Sequence, residues 1–318
     1  MATGFVAAAF PDCDFALRLI DTLTYLNWHQ GPTHSVVLLP VWAFMLAHLF
    51  SWTTRRRYPW QAFFGSAALG IAIHIAGDLF TAYGTLLAAP LSSQRFSVPF
   101  TFVIDPYISA ITAVGLAAVM FLPQNRHPSV IALIVLGCYV GLQGTLHYRA
   151  VRIGEAYAVT HGLAGAEIHA LPQPLTPFNW KLIVSHGDRY HEAHVNLWRT
   201  RVPQPPGPES GMLHRIAAGY QPVTAAVWTR HGRFGETPSQ QSLAREAWSQ
   251  AVFADYRRFA RFPALERIES AGDRVCAWFI DLRFTLPSLP PSFRYGVCRT
   301  GATDSWQAER MRGSFWID

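Results

Sequence analysis

A chain of 318 residues has room for about two domains. Half of its residues are hydrophobic and 14% are charged, yet mean hydropathy is only +0.14. That excludes one uniform domain and points to a very apolar part diluted by an ordinary one. The formal charge of +6 comes with no basic stripe interleaved with aromatics and no nucleic-acid motif, so nucleic acid is excluded as a partner.

In chain order, Met1 to Phe10 is apolar but lacks a basic start and ends at Pro11-Asp12. It reads as the tail of a helix, not as a signal peptide, and is too short to span a bilayer. Four longer apolar runs follow: Val36 to Trp52, Trp60 to about Leu79, about Tyr107 to Leu122, and Val130 to about Leu146. Each has roughly 16–20 residues, near the lower limit for crossing ~30 Å of hydrocarbon. The first, third and fourth carry no Asp, Glu, Lys or Arg. Four such runs joined by short links predict a mainly α fold, with a polytopic transmembrane helical domain of about four spans over residues 1–150. Cys138, inside the fourth run, is expected to be buried and inert.

Basic residues set the expected orientation. Arg55, Arg56 and Arg57 lie between runs one and two, and Arg126 lies between runs three and four. The positive-inside rule makes both loops cytoplasmic. Arg149 and Arg152, directly after run four, are a counter-signal.

Residues 151–318 read as a soluble α+β domain, expected to be periplasmic. Phe178 to Val184 and Tyr190 to Trp198 are strand candidates around a His186-Gly187-Asp188 turn. Thr200 to Gly235, rich in Pro and Gly, reads as loop. Ser239 to Phe262 has the period of one amphipathic helix. Val275 to Phe284 and Phe293 to Arg299 are further strands. Cys276 and Cys298 are the candidate pair if this half lies in an oxidising compartment.

Chemistry-bearing residues gather at the ends of the apolar runs. The series is Pro11-Asp12-Cys13-Asp14, then His29-Gln30-Gly31-Pro32-Thr33-His34-Ser35. His74 with Asp78 comes next, followed by Thr81, Tyr83-Gly84-Thr85, Arg95-Phe96-Ser97 and Asp105-Pro106. With the topology above, His34, His74, Asp78 and Asp105 all fall at one membrane face. His74 and Asp78, four apart on a helix, share a side. Converging imidazoles and carboxylates suit a divalent cation, zinc first, with manganese or iron as alternatives. The hydroxyls of Thr33, Ser35 and Thr81 are placed to orient ligands by hydrogen bonding. Asp105 before Pro106 also fits an ordinary helix cap. His48, near the cytoplasmic end of run one, reads as structural.

This series, Pro-Asp-x-Asp, His-x-Gly-x-Thr-His-Ser and His-x3-Asp-x2-Thr-x-Tyr-Gly-Thr followed by Arg-Phe and Asp-Pro, resembles the bacterial inner-membrane family of membrane-bound, metal-dependent hydrolases. Its motif order is also distantly similar to zinc-dependent phospholipase C. The resemblance covers residues 5–150 and extends weakly to the Trp180 hairpin. It implies metal binding by Asp12, Asp14, His29, His34, His74 and Asp78, with Asp105 as a further polar match. Gln30 stands where the family has arginine, which removes a cation that could hold a substrate anion.

The expected function is a metal-dependent hydrolase in the bacterial inner membrane. It would work at the outer membrane–water interface, on a lipid or lipid-linked ester or phosphoester. Asp12 or Asp105 would serve as general base. The alternatives are a transporter or metal-handling protein and a membrane anchor for an outer interaction domain. A transport pathway calls for polar groups at the bilayer midplane, where this chain has few.

Overall fold

A computed structural model describes residues 2–301 and 304–311. The chain divides into two compact units, Met1–Pro99 and Phe100–Asp318.

The first unit begins with α1 (Ala2–Ala9), a 3-10 segment (Pro11–Leu19) and α2 (Thr22–Trp28). The Asp21 side chain caps α2 by accepting from the Thr24 amide at 2.9 Å. A 3-10 turn (Pro32–His34) then leads into α3 (Leu39–Thr53) and α4 (Gln61–Leu79). Small residues set the packing. Ala7, Ala43, Leu46, Ala67, Ile71 and Ile75 form the buried seam. A Cβ added at Gly70 would lie 2.5 Å from the Gly4 carbonyl oxygen, so α1 and α4 approach backbone to backbone. The opposite face of α4 shows Leu69 and Ile73, each 61% exposed. An apolar seam inside and an apolar face outside is the pattern of a helix solvated by lipid.

Two helices are long and apolar enough to cross a membrane: α4, with 19 residues, and a 34-residue helix in the second unit. The count is three if the segments Thr22–His34 and Leu39–Thr53, bent by 79° to each other, form one broken span. The four expected runs are thus all helical in their interiors, but two helices are short. α3 has 15 residues because Val36, Val37 and Leu38 are spent on the turn that enters it. The third run forms α5 (Pro106–Phe121), 16 residues long.

In the second unit α5 is followed by α6 (His127–Thr160). α6 runs unbroken through residue 150 and, at 1.5 Å per residue, is about 51 Å long. Its first turns expose Val130, Ile131, Leu133 and Ile134. Its later turns pack Leu146 and Ala150 against Ala170, Trp180, Leu182, Ala193 and Val195. Those residues belong to a five-stranded sheet made of β1 (Glu167–Pro172), β2 (Asn179–His186), β3 (Arg189–Asn196), β4 (Gln221–Pro222) and β5 (Trp228–Gly232). β1, β2 and β3 are antiparallel neighbours, and both β4 and β5 pair with β3. The expected hairpin is β2–β3, turning at Gly187 with φ +60.

The expected loop from Thr200 to Gly235 is only partly loop: it contains α7 (Met212–Ala218), β4 and β5. The expected helix from Ser239 to Phe262 is two. α8 (Pro238–Ser249) starts at a Thr237–Gln240 capping box, and α9 (Ala254–Phe259) follows a break where Gln250 is extended. Arg257 donates to the Trp248 and Gln250 carbonyls that the break releases. β6 (Pro263–Ala271), β7 (Arg274–Asp281), β8 (Tyr295–Thr300) and β9 (Gln307–Arg310) form a second, antiparallel sheet. Cys276 and Cys298 face each other across β7 and β8 and are disulfide-bonded. Cys138 lies on an exposed face of α6, contrary to the expected burial, since that helix turns its apolar side outward.

Lys181 on β2 is fully buried. Its Nζ donates to the carbonyls of Leu282 and Thr285 at 2.6 Å each and lies 3.1 Å from Glu192. Its neighbour His194 is pushed down to about 3 by burial and by the Lys181 charge. The fold therefore holds this imidazole neutral, whereas the unfolded chain protonates it below pH ~6.5.

Two outcomes are expected. Gly70→Val should separate α1 from α4 and destabilise the purified protein by about 1–3 kcal/mol in thermal unfolding. Stability should also fall as the pH drops below ~6.5, by up to about 1.4 kcal/mol per pH unit from His194. His194→Gln should flatten that slope.

Candidate metal centre

Three segments of the first unit deliver the site. The 3-10 segment after Pro11 carries Asp12 and Asp14, the turn after Trp28 carries His29, Thr33 and His34, and the last turns of α4 carry His74 and Asp78. The middle turn is unusual in its backbone. Gln30 has φ +56, and a Cβ on Gly31 would collide with the Trp28 carbonyl. Only glycine fits at position 31, so the chain can reverse tightly enough to face both His29 and His34 inward.

Asp14, almost fully buried, organises that turn. It accepts from the Gln30 amide at 3.1 Å and from Thr33 Oγ1 at 3.2 Å, and pairs with His29 Nδ1 at 2.9 Å. Because the single Thr33 proton goes to Asp14, Thr33 Oγ1 accepts from His34 Nδ1–H at 3.0 Å. When His34 is neutral, that leaves its Nε2 lone pair pointing into the cluster. His29 is further held between Tyr25, stacked at 4.8 Å, and Tyr83, edge-on at 5.2 Å. The Tyr83 hydroxyl donates to the Leu26 carbonyl at 2.6 Å. Arg95 straps the loops together, donating to the carbonyls of Asn27, His29 and Gly84.

Four ligand-type side chains then converge. His34 Nε2 lies 3.2 Å from His74 Nε2. Asp78 Oδ2 is 2.9 Å from the first and 3.3 Å from the second, and Asp12 Oδ1 is 3.7 Å and 3.5 Å from them. A tetrahedral ion with bonds of ~2.0–2.2 Å keeps its ligand atoms about 3.3–3.6 Å apart, close to this set. Two neutral imidazoles so placed oppose lone pair to lone pair unless a proton or cation lies between them. Asp78 Oδ2 is buried and has no hydrogen-bond partner despite its short distances to nitrogen. Both features fit a divalent cation. Asp12, Asp14 and His29 form a second group able to hold a metal, sharing Asp12 with the first. There the 2.9 Å Asp14–His29 contact is already served by an ordinary hydrogen bond. Asp12 is the open edge of the cluster, with its side chain 57% exposed, and the two histidines hold its carboxyl below the usual range, His34 foremost.

The other expected groups have different duties. Ser35 Oγ donates to the Ala89 and Leu87 carbonyls, and Thr81 Oγ1 to the Asp78 carbonyl; neither reaches a ligand atom. Ser97 donates to the Thr81 carbonyl. Gln30 is buried and accepts from Thr85 Oγ1 at 3.2 Å, so it is a structural member of the turn. Asp105 belongs to the second unit. It caps α5 through the Tyr107 and Ile108 amides and accepts from the Tyr139 hydroxyl at 2.8 Å. Gln143 in turn donates to that hydroxyl. Tyr139 and Gln143, two polar residues four apart inside an apolar run, were the legible sign that this helix holds something. His48 pairs with the Phe44 carbonyl and stacks on Trp60, a structural role as expected.

Residues 1–150 match the family model described as YdjM inner membrane protein. Over 236 residues, 67% of this chain, the sequence is 24% identical to the "Uncharacterized protein YfhP" of Bacillus subtilis (strain 168), and the match spans 65% of that relative's length. No solved structure matches.

The Thr33 hydroxyl is the link between Asp14 and His34. Thr33→Val should weaken metal binding by about 10–100-fold in a chelator competition, with Thr33→Ser close to wild type. Equal affinities would show that the hydroxyl orients nothing.

Proposed function

We propose that this chain is a multi-pass inner-membrane, metal-dependent hydrolase. The observation that carries the reading is the convergence of Asp12, His34, His74 and Asp78 from three separate segments, with two imidazole Nε2 atoms opposed at 3.2 Å. In this reading His34, His74 and Asp78 are the primary ligands, and the fourth, tetrahedral position stays open beside Asp12. Asp14 and His29 complete the metal-binding shell on the adjoining side, where Asp12 is common to both groups. Zinc suits the mixed nitrogen and oxygen donors best, with manganese or iron as substitutes. A divalent cation held there would supply Lewis acidity and lower the pKa of a nearby water.

The protein's own groups supply the rest. Asp12, the most exposed carboxylate of the cluster, accepts the proton of the attacking water as general base. Asp105 was the other candidate base, but its oxygens are taken up by the α5 cap and by Tyr139. The Asp14–Thr33–His34 chain fixes which nitrogen of His34 faces the cluster. With Gln30 buried in the turn, no side chain at that position offers a cation to a substrate anion. The site ends α4, a membrane-length helix, so the substrate is a lipid or lipid-linked ester or phosphoester reached from the interface. The arginines at 55–57 and 126 support an outward-facing site and a periplasmic second half beyond about residue 150.

Metal analysis of the purified full chain tests this. Wild type should carry close to stoichiometric metal, and His34→Ala and His74→Ala should lose it. Lipid ester or phosphoester hydrolysis should vanish with a chelator and return with added ion. Equal metal in all three proteins would sink the metal site. Metal without turnover of any lipid substrate would sink the hydrolase.

A further inference from the structure

The second unit contains a basic groove that the metal centre does not use. We propose that it holds the headgroup of an anionic phospholipid, in the leaflet that α6 leaves.

α6 sets the depth. Its exposed aliphatic side chains begin at Val130 and Ile131. A hydrocarbon layer of ~30 Å takes up about 20 helical residues, so one entered near His127 is left near Leu146. Tyr148, 65% exposed, comes next, then Arg149 and Arg152 one turn apart. The same groove, about 500 Å³, is closed on its other side by Trp198, Arg199 and Thr200, from the segment that follows β3.

The charges are unbalanced. Arg149 has no carboxylate partner among the described residues. Arg152 pairs with Glu155 at 3.0 Å, but both side chains are largely exposed, and such a pair holds weakly. Arg199 is fixed by donating from Nη1 to the carbonyls of Ala217 and Tyr220, which anchors its guanidinium at the groove wall. Three guanidinium groups therefore face a volume with one loosely held carboxylate nearby. Guanidinium pairs with phosphate oxygens in bidentate geometry. Of the residues that line it, Trp198 is 74% exposed. Trp198 lies tilted against Phe178, with ring centroids 5.3 Å apart. An exposed indole at this depth suits the headgroup layer, where one end of the ring meets acyl chain and the N–H meets water. A zwitterionic lipid brings its own ammonium and gains less from the arginines, so the groove selects net negative headgroups.

The test uses the full chain in neutral detergent. It is titrated with short-chain phosphatidylglycerol, short-chain phosphatidylcholine and inorganic phosphate. Wild type should prefer phosphatidylglycerol over phosphatidylcholine by about tenfold or more, a preference that salt weakens. Arg149→Gln/Arg152→Gln should lose that preference. A second arm needs no change of charge: brominated phosphatidylglycerol should quench tryptophan emission more in wild type than in Trp198→Phe. Inorganic phosphate binding as tightly as the lipid would make this a free-anion site and overturn the proposal. So would a preference unchanged in the double variant, or equal quenching with and without Trp198.

Discussion

Two imidazole nitrogens opposed at 3.2 Å, with a buried carboxylate oxygen beside them, hold together only with a proton or a cation between them. Without either, the rings oppose lone pair to lone pair and the carboxylate beside them lacks a positive neighbour, which costs several kcal/mol. The rest of the first unit exists in a form that keeps this arrangement in place. Asp14 fixes His34 through Thr33, the Gln30–Gly31 turn allows the reversal, and Arg95 ties three carbonyls of the surrounding loops. Structure that holds like groups together needs something to reward it, and a divalent cation meets that requirement with the donors present.

The membrane makes such rigidity affordable in another way. In lipid there is no hydrophobic force between apolar helices, so close packing of small residues must hold them. The contact of Gly4 with Gly70 does this for α1 and α4, and Ala7, Ala43 and Ala67 extend it. α4 is thereby fixed at the end that carries His74 and Asp78. α6 solves a different problem, since one helix must satisfy two solvents. Its first turns present aliphatic side chains outward, and its later turns bury Leu146 and Ala150 under a β-sheet. Gly154 continues that seam, where a Cβ would lie 2.5 Å from Ile168.

The parts of this design that were legible in the sequence are those encoded locally. His74 and Asp78 are one helical turn apart, so their common side follows from the 3.6 period. The β2–β3 hairpin follows from alternation around His186-Gly187-Asp188. What escaped is what depends on partners distant in sequence. Nothing near Gln30 says that its side chain meets Thr85, and nothing near Asp105 says that Tyr139, 34 residues on, donates to it. The break at Gln250 was hidden because the apolar period continues through it; Arg257 compensates the freed carbonyls from the far side. Hydropathy overstates the first span at Val36 to Leu38, because it counts apolar residues whether or not they are helical.

Arg149 and Arg152 show how position changes the meaning of a charge. As a topology signal they argue against an outward second half. The positive-inside rule, however, weighs basic residues in short loops, and it loses force where more than about 60 residues follow. These arginines sit within a continuing helix, ahead of two sheets. Arg55, Arg56 and Arg57, by contrast, occupy a short link between α3 and α4. On the proposed placement, two guanidinium groups lie at the depth where α6 leaves hydrocarbon and are open to anions. Glu155 supplies one, weakly, and the leaflet itself is the nearest source of others.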